Sequence, residues 1–129
     1  MLLLIMETKK ETQMTFEAAL EAYRAHLGAD YATFTQSWVK KHPESAERIA
    51  AQNEEWVAGI AFEKGSKFIK VAIPSGSSRS AHSFIVIKEH GKFKVGDILK
   101  AASWATPAKN FARGNVLEGD FARTRWAGC

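Results

Sequence analysis

The hydrophobic spacing of this chain changes once, at Gly65, and that change sets its fold class. Before it, Ala46, Ile49, Ala50, Asn53, Trp56, Val57 and Ile60 recur at steps of three and four, with Glu44, Glu47, Glu54 and Glu55 near the other side. Only a helix gathers such positions on one stripe. After it, Ile69, Val71 and Ile73 alternate with Lys70 and share one face of an extended segment. Helices first and short strands afterwards predict an α+β domain: N-terminal helices packed on a C-terminal antiparallel sheet.

Local signals place the elements. Thr15 is suited to cap a first helix, with Glu17 in its first turn and Phe16, Ala19, Leu20, Tyr23 and Leu27 on one stripe. Gly28 reads as its stop. Asp30 reads as the cap of a second helix with Tyr31, Phe34 and Trp38 on the buried side, ended by Pro43. Pro43 also suits the first turn of a third helix, which Lys64-Gly65 closes. Strands are expected over Lys67–Ile73 and Ala81–Lys88, the latter apolar on both faces and therefore central. Phe93–Val95, Ile98–Ser103 and Phe121–Trp126 read as further strands, with a helical turn over Ala108–Arg113. Short connections favour a meander.

Hydrophobic residues make up 46% of the 129 and charged residues 25%, which suits one packed domain rather than two or a disordered chain. That domain is expected over residues 15–129, helical over 15–64 and β-rich over 65–129. Residues 1–14 read as a flexible tail, with a strand added to the sheet as the other reading. The apolar run Met1–Met6 is too short to span a bilayer and lacks the basic flank and cleavage site of a signal peptide. The lone cysteine, Cys129, cannot close an internal disulfide. These features predict a soluble, cytoplasmic protein without a membrane partner.

Charge divides along the same line as the fold. Residues 1–63 hold six Lys/Arg against ten Asp/Glu, whereas residues 64–129 hold twelve against four. An anionic partner for the second half would explain this, and so would lysines that merely solvate a sheet face.

Motifs with defined chemistry are missing. The chain has no C-x-x-C, H-E-x-x-H or G-x-S-x-G, and Gly91 to Gly96 has phosphate-loop spacing but Asp97-Ile98 where Lys-Ser/Thr is required. His26, His42, His82 and His90 stand apart from one another and from any cysteine, so neither a metal nor a cofactor is expected. His82, beside Ser80 and Ser83, gives the one catalytic constellation that can be drawn, a histidine acting on a serine. A surface or satisfied histidine is the better reading.

Two segments are candidates for an anion site. In Gly76-Ser77-Ser78-Arg79-Ser80, hydroxyls and backbone N–H groups would wrap an anion and Arg79 would supply a fork of donors, unless the segment is a plain hairpin loop. In the second segment, Lys100, Ser103, Trp104, Lys109, Arg113 and Asn115 combine three cations with an indole, a hydroxyl and an amide. That is a face to stack on and charge to neutralise phosphate. The structural alternative has Trp104 plugging the sheet end, Pro107 fixing a turn and Gly114 supplying a positive φ.

The run Asp97–Asn115, with its Lys100-Ala101-Ala102-Ser103-Trp104 and Pro107-Ala108-Lys109 blocks, resembles a motif in small uncharacterised proteins of tailed bacteriophages. Lys67–Val71 and Ser80–Ile85 are similar to segments upstream of that motif. The resemblance spans about residues 66–115 and departs from the pattern at the longer turn Glu89–Gly96. It implies a viral protein working in a bacterial cytoplasm and carries no activity with it. The expected function is non-catalytic binding of a nucleic acid or nucleotide through the basic half. The alternative is a protein-interaction module that acts on a host protein, and self-association is a further candidate.

Overall fold

The computed structural model describes the side chains of residues 16–129; the tail read over residues 1–14 lies outside the residues so described. One long helix, α1 (Leu2–Lys41), is followed by a 3-10 turn at Pro43–Ser45 and by α2 (Ala46–Ala58). Four strands follow: β1 (Ala61–Lys64), β2 (Phe68–Ser75), β3 (Ser78–Val86) and β4 (Ile98–Lys100). They pair antiparallel in the order β1-β2-β3-β4, so the expected α+β meander is present and β3 is internal. No described helix is long and apolar enough to cross a membrane.

The two helices expected around Gly28 are one. Gly28 does not stop α1 because it serves a packing contact: a Cβ at this position would lie 2.5 Å from Val57 Cγ2 on α2. Asp30, read as a cap, instead accepts a hydrogen bond from the Trp126 backbone N–H at 2.9 Å and ties the C-terminal coil to the helix. Arg24 donates to the carbonyls of Val57 (3.0 Å) and Ile60 (2.7 Å) and so ties α1 to the end of α2.

The Gly28 contact predicts a reversed sign for a familiar substitution. Gly→Ala inside a helix ordinarily stabilises by about 1 kcal/mol. Here the added methyl meets a β-branched side chain with a stiff χ1, and overpacking costs about 1–3 kcal/mol. Gly28→Ala is expected to lower stability in urea titrations by about 1 kcal/mol, yet to raise it in a Val57→Ala background.

The sheet has two differently covered faces. Ile69, Val71, Ile73, Ile85 and Ile98 face the helices and pack with Tyr23, Leu27, Trp56 and Ile60. On the outer face Phe84, Val86, Leu99 and Phe93 form a smaller cluster, joined at its margin by Phe68, Ala81, Ala101 and Ala112. Register shifts between Val71 and Ala72, where Val71 pairs with Ser83 but Ala72 with Ala81. His82 is therefore the extra residue of a bulge, and two successive side chains, His82 and Ser83, both reach Tyr23 on the helix side.

Several expected elements are replaced. α2 ends at Ala58, and the residues assigned to its last turn form β1. The serine-rich loop is a tight hairpin: Ser75 pairs with Ser78 around Gly76-Ser77, with φ 60° at Gly76, the position where a two-residue hairpin uses glycine. Phe93–Val95 and Phe121–Trp126 form only isolated bridges, and Ala108–Arg113 is extended rather than helical. That last segment runs beside β4, with Ala108 N–H donating to the Lys100 carbonyl (2.7 Å) and Arg113 N–H to that of Ile98 (2.7 Å). Phe34 and Trp38, expected on a buried side, are 58% and 51% exposed. They lie beside Arg48, Ile49 and Gln52 at the start of α2, with Phe34 also against Trp126 and Trp38 against His42.

Candidate functional site

Strand alternation separates the residues that sequence adjacency had grouped. Lys100 pairs with Ser83, whose side chain faces the helices, so Lys100 shares the helix side of the sheet. Together with Arg113 its positive charge acts on the Cys129 thiol, which burial nonetheless pushes upward. Arg113 also lies 4.0 Å over the Phe111 ring. Trp104 is on the other side, at the tip of the turn closed by Ala102 and Ser103 N–H groups donating to the Thr106 carbonyl. Ser103 is exposed in that turn. The indole is 46% exposed and is met by a cation the sequence had not singled out: Lys70 Nζ lies 3.9 Å from its ring centroid. Lys109 also turns to this outer face, 5.9 Å from the Phe68 ring.

Asn115 is buried within the fold. Its Nδ2 donates to Asp97 Oδ1 (3.0 Å) and the Val95 carbonyl (3.2 Å), and its Oδ1 accepts from the N–H groups of Leu117 (2.8 Å) and Glu118 (3.1 Å). These four bonds lock the coil that follows β4. Arg79 pairs with Glu63 at 3.2 Å on the outer face, and Ser80 lies on the helix side beside Ile73. Neither belongs to a wrapped anion loop, since that segment is the hairpin itself.

His82 does meet a serine, but inside the core. Its Nδ1 is 2.9 Å from Ser83 Oγ and 3.4 Å from the Tyr23 hydroxyl, and its Nε2 is 2.5 Å from the Arg125 carbonyl. Tyr23 and Ser83 are fully buried and His82 nearly so. An Nε2–H donated to Arg125 leaves Nδ1 as an acceptor, so the neutral ring satisfies every partner. Burial holds the His82 pKa below its ordinary value and pushes that of the Tyr23 phenol up. A depressed folded-state pKa means the unfolded chain takes up the proton first. The His82 contribution is therefore fully present above about pH 6.5 and is lost as pH falls towards the folded-state value. Melting temperature is expected to drop between about pH 7.5 and pH 5.5 in the native chain, and less steeply in His82→Gln.

The outer face holds a groove of about 380 Å³ between the β1–β2 turn and the Trp104 turn. Lys64, Lys67 and Lys70 line it, Phe68 and Phe84 form its apolar floor, and Ala105 closes one side. Glu63, the one acid in its lining, is paired to Arg79. Phe68 stands edge-on to Phe84 (79°, 6.2 Å) and is half-buried, so part of its surface remains open. The signal for this groove was in the sequence: Lys64-Gly65-Ser66-Lys67-Phe68-Ile69-Lys70 interleaves three cations with an aromatic ring. A larger concavity of about 780 Å³ lies between α2, the β2–β3 hairpin and Trp126. Its lining includes Glu55 and no cation, so it suits no anion.

Among the described residues no group of three His, Cys, Asp or Glu is placed to hold a metal. The family model described as a family of unknown function, DUF7717, matches residues 5–129. No curated protein and no solved structure matches the chain.

Proposed function

We propose that this chain, which belongs to the DUF7717 family of unknown function, is a non-catalytic binding protein for a nucleic acid or nucleotide. The observation that carries the reading is the outer-face groove, which Lys64, Lys67 and Lys70 line together with Phe68, and beside which Lys70 meets the half-exposed Trp104. A nucleotide needs both things at one place: a flat surface for its base and cations for its phosphate. The excess of cations after residue 63 adds a long-range field of the right sign. The likeness of residues 66–115 to small tailed-phage proteins supports a bacterial host cytoplasm as the setting.

The test is a titration of labelled DNA and RNA at two salt concentrations. Neutralised phosphates release counterions, so three to four lysine contacts imply an affinity loss on the order of tenfold to fiftyfold between about 50 and about 200 mM salt. Absence of binding to every nucleic acid and nucleotide at low salt overturns the reading.

A second reading is favoured by Phe34 and Trp38, large rings left exposed beside the acid-rich α2. Such rings are the usual anchors of protein interfaces, and they would make the helical half a docking surface for a host protein. One stoichiometric partner recovered from a bacterial lysate after nuclease treatment, and lost in Phe34→Ala/Trp38→Ala, would favour it.

A further inference from the structure

Resting on the groove as a nucleic-acid site, we infer that its ligand is a single strand, with bases stacked on Trp104 and Phe68. The indole of Trp104 belongs to neither core cluster and stands at a turn tip with Lys70 against it. It is 46% exposed, so much of its surface remains open. It is well placed to receive another flat ring, and base–aromatic stacking contributes about 1–3 kcal/mol per base.

The geometry argues against a duplex. The faces of paired bases are covered by their neighbours in the stack, so a duplex presents only edges and phosphates. Reading those edges takes a helix or ribbon that enters a groove about 12 Å wide. Here Phe68 and Phe84 line a concavity of about 380 Å³, and the β2–β3 hairpin carries Arg79 already paired to Glu63. A single strand bends into such a recess and exposes its base faces.

The cations fit the same ligand. Lys64, Lys67 and Lys70 line the groove on flexible stems, and Lys109 Nζ lies 5.9 Å from the Phe68 ring. Cations that flank two separate rings follow a backbone from one base to the next. A mononucleotide would use one ring and leave the other idle. When a base takes the Trp104 face, the Lys70 ammonium moves aside to the adjoining phosphate, exchanging a cation–π contact of about 0.5–1 kcal/mol for an ion pair.

The experiment is fluorescence anisotropy at low salt with single-stranded DNA and RNA oligonucleotides, a hairpin duplex of matched length, and AMP as competitor. It uses the native chain, Trp104→Ala and Phe68→Leu, each checked for an unchanged melting transition. At least tenfold tighter binding of a single strand than of the duplex is expected. Trp104→Ala should lose about tenfold in single-strand affinity, keep its salt slope and bind the duplex as before. Should Phe68→Leu melt early, Trp104→Ala alone carries the stacking test. Equal or tighter duplex binding overturns the inference, as does an unchanged single-strand affinity in Trp104→Ala, or AMP competing as well as the polymer does per nucleotide. In each of those cases the broader binding function stands. Loss of all binding at low salt removes both.

Discussion

A chain carrying Lys64→Glu, Lys67→Glu and Lys70→Gln is expected to bind a single-stranded oligonucleotide on the order of a hundredfold more weakly than the native chain. All three lysines belong to the lining of one groove, Lys70 on the outer face by register and Lys64 at the end of β1, where it pairs with Ile69. The plot of log affinity against log salt should also flatten by about two, because three fewer phosphates are neutralised along a single strand. Glutamine is the right choice at Lys70. Glu63 lies directly opposite it in register, and a second carboxylate there would repel the first and weaken the β1–β2 pair for reasons unrelated to binding. Lys40→Glu/Lys41→Glu, at the far end of α1, removes the same kind of charge from the same protein. Equal losses in both variants would mean that net charge, not the groove, holds the ligand.

The second large effect concerns stability. Asn115→Ala is expected to cost about 3–4 kcal/mol, read as a lower urea midpoint with an unchanged slope. The amide makes four hydrogen bonds at a position 3% exposed. Its removal leaves the buried Asp97 carboxylate short of a donor and strands the N–H groups of Leu117 and Glu118, and each unpaired buried group costs about 1–3 kcal/mol. Asn115→Asp separates charge from size. It keeps the shape and the acceptor but sets a second carboxylate at the 3.0 Å contact with Asp97. It should be as damaging as alanine near neutral pH and recover part of its stability as pH falls into the carboxylate range. A loss below about 0.5 kcal/mol in either variant would return Asn115 to the ligand side of the account.

How far the sequence could be read depended on whether a residue's role was local. The change of period at Gly65 was legible because Ile69, Val71 and Ile73 face one core, and alternation is the direct imprint of that. The central position of β3 was legible for the same reason, since Phe84 to Val86 are covered on both faces. Gly28 was misread because its role is set by Val57, which is distant in sequence. β1 was hidden because Ile60 completes the helical stripe and is also buried just before the strand starts. Phe121 and Trp126 mimic strand alternation, but they pack on α1 through side chains, with backbone ties from His26 to the Thr124 carbonyl and from Trp126 to Asp30.

The site followed the same logic. Lys100 stands four residues before Trp104, yet its pairing with Ser83 turns it to the other side of the sheet. Lys70 is thirty-four residues away and lies against the ring. The cation that meets Trp104 is Lys70, which is none of those that sequence adjacency had grouped with the ring. Composition could indicate an excess of cations in the β-rich half. Only strand register decides which of them share a face.

The proposed groove makes a direct prediction about which residues an added nucleic acid would perturb. Backbone amide shifts of the isotope-labelled chain, followed while a single-stranded oligonucleotide is added at low salt, test that directly. The expected result is saturating movement of Lys64, Lys67, Phe68, Lys70 and Trp104, with α2 from Glu47 to Glu55 unmoved. Saturating shifts confined to the helices, with the groove silent, would contradict it.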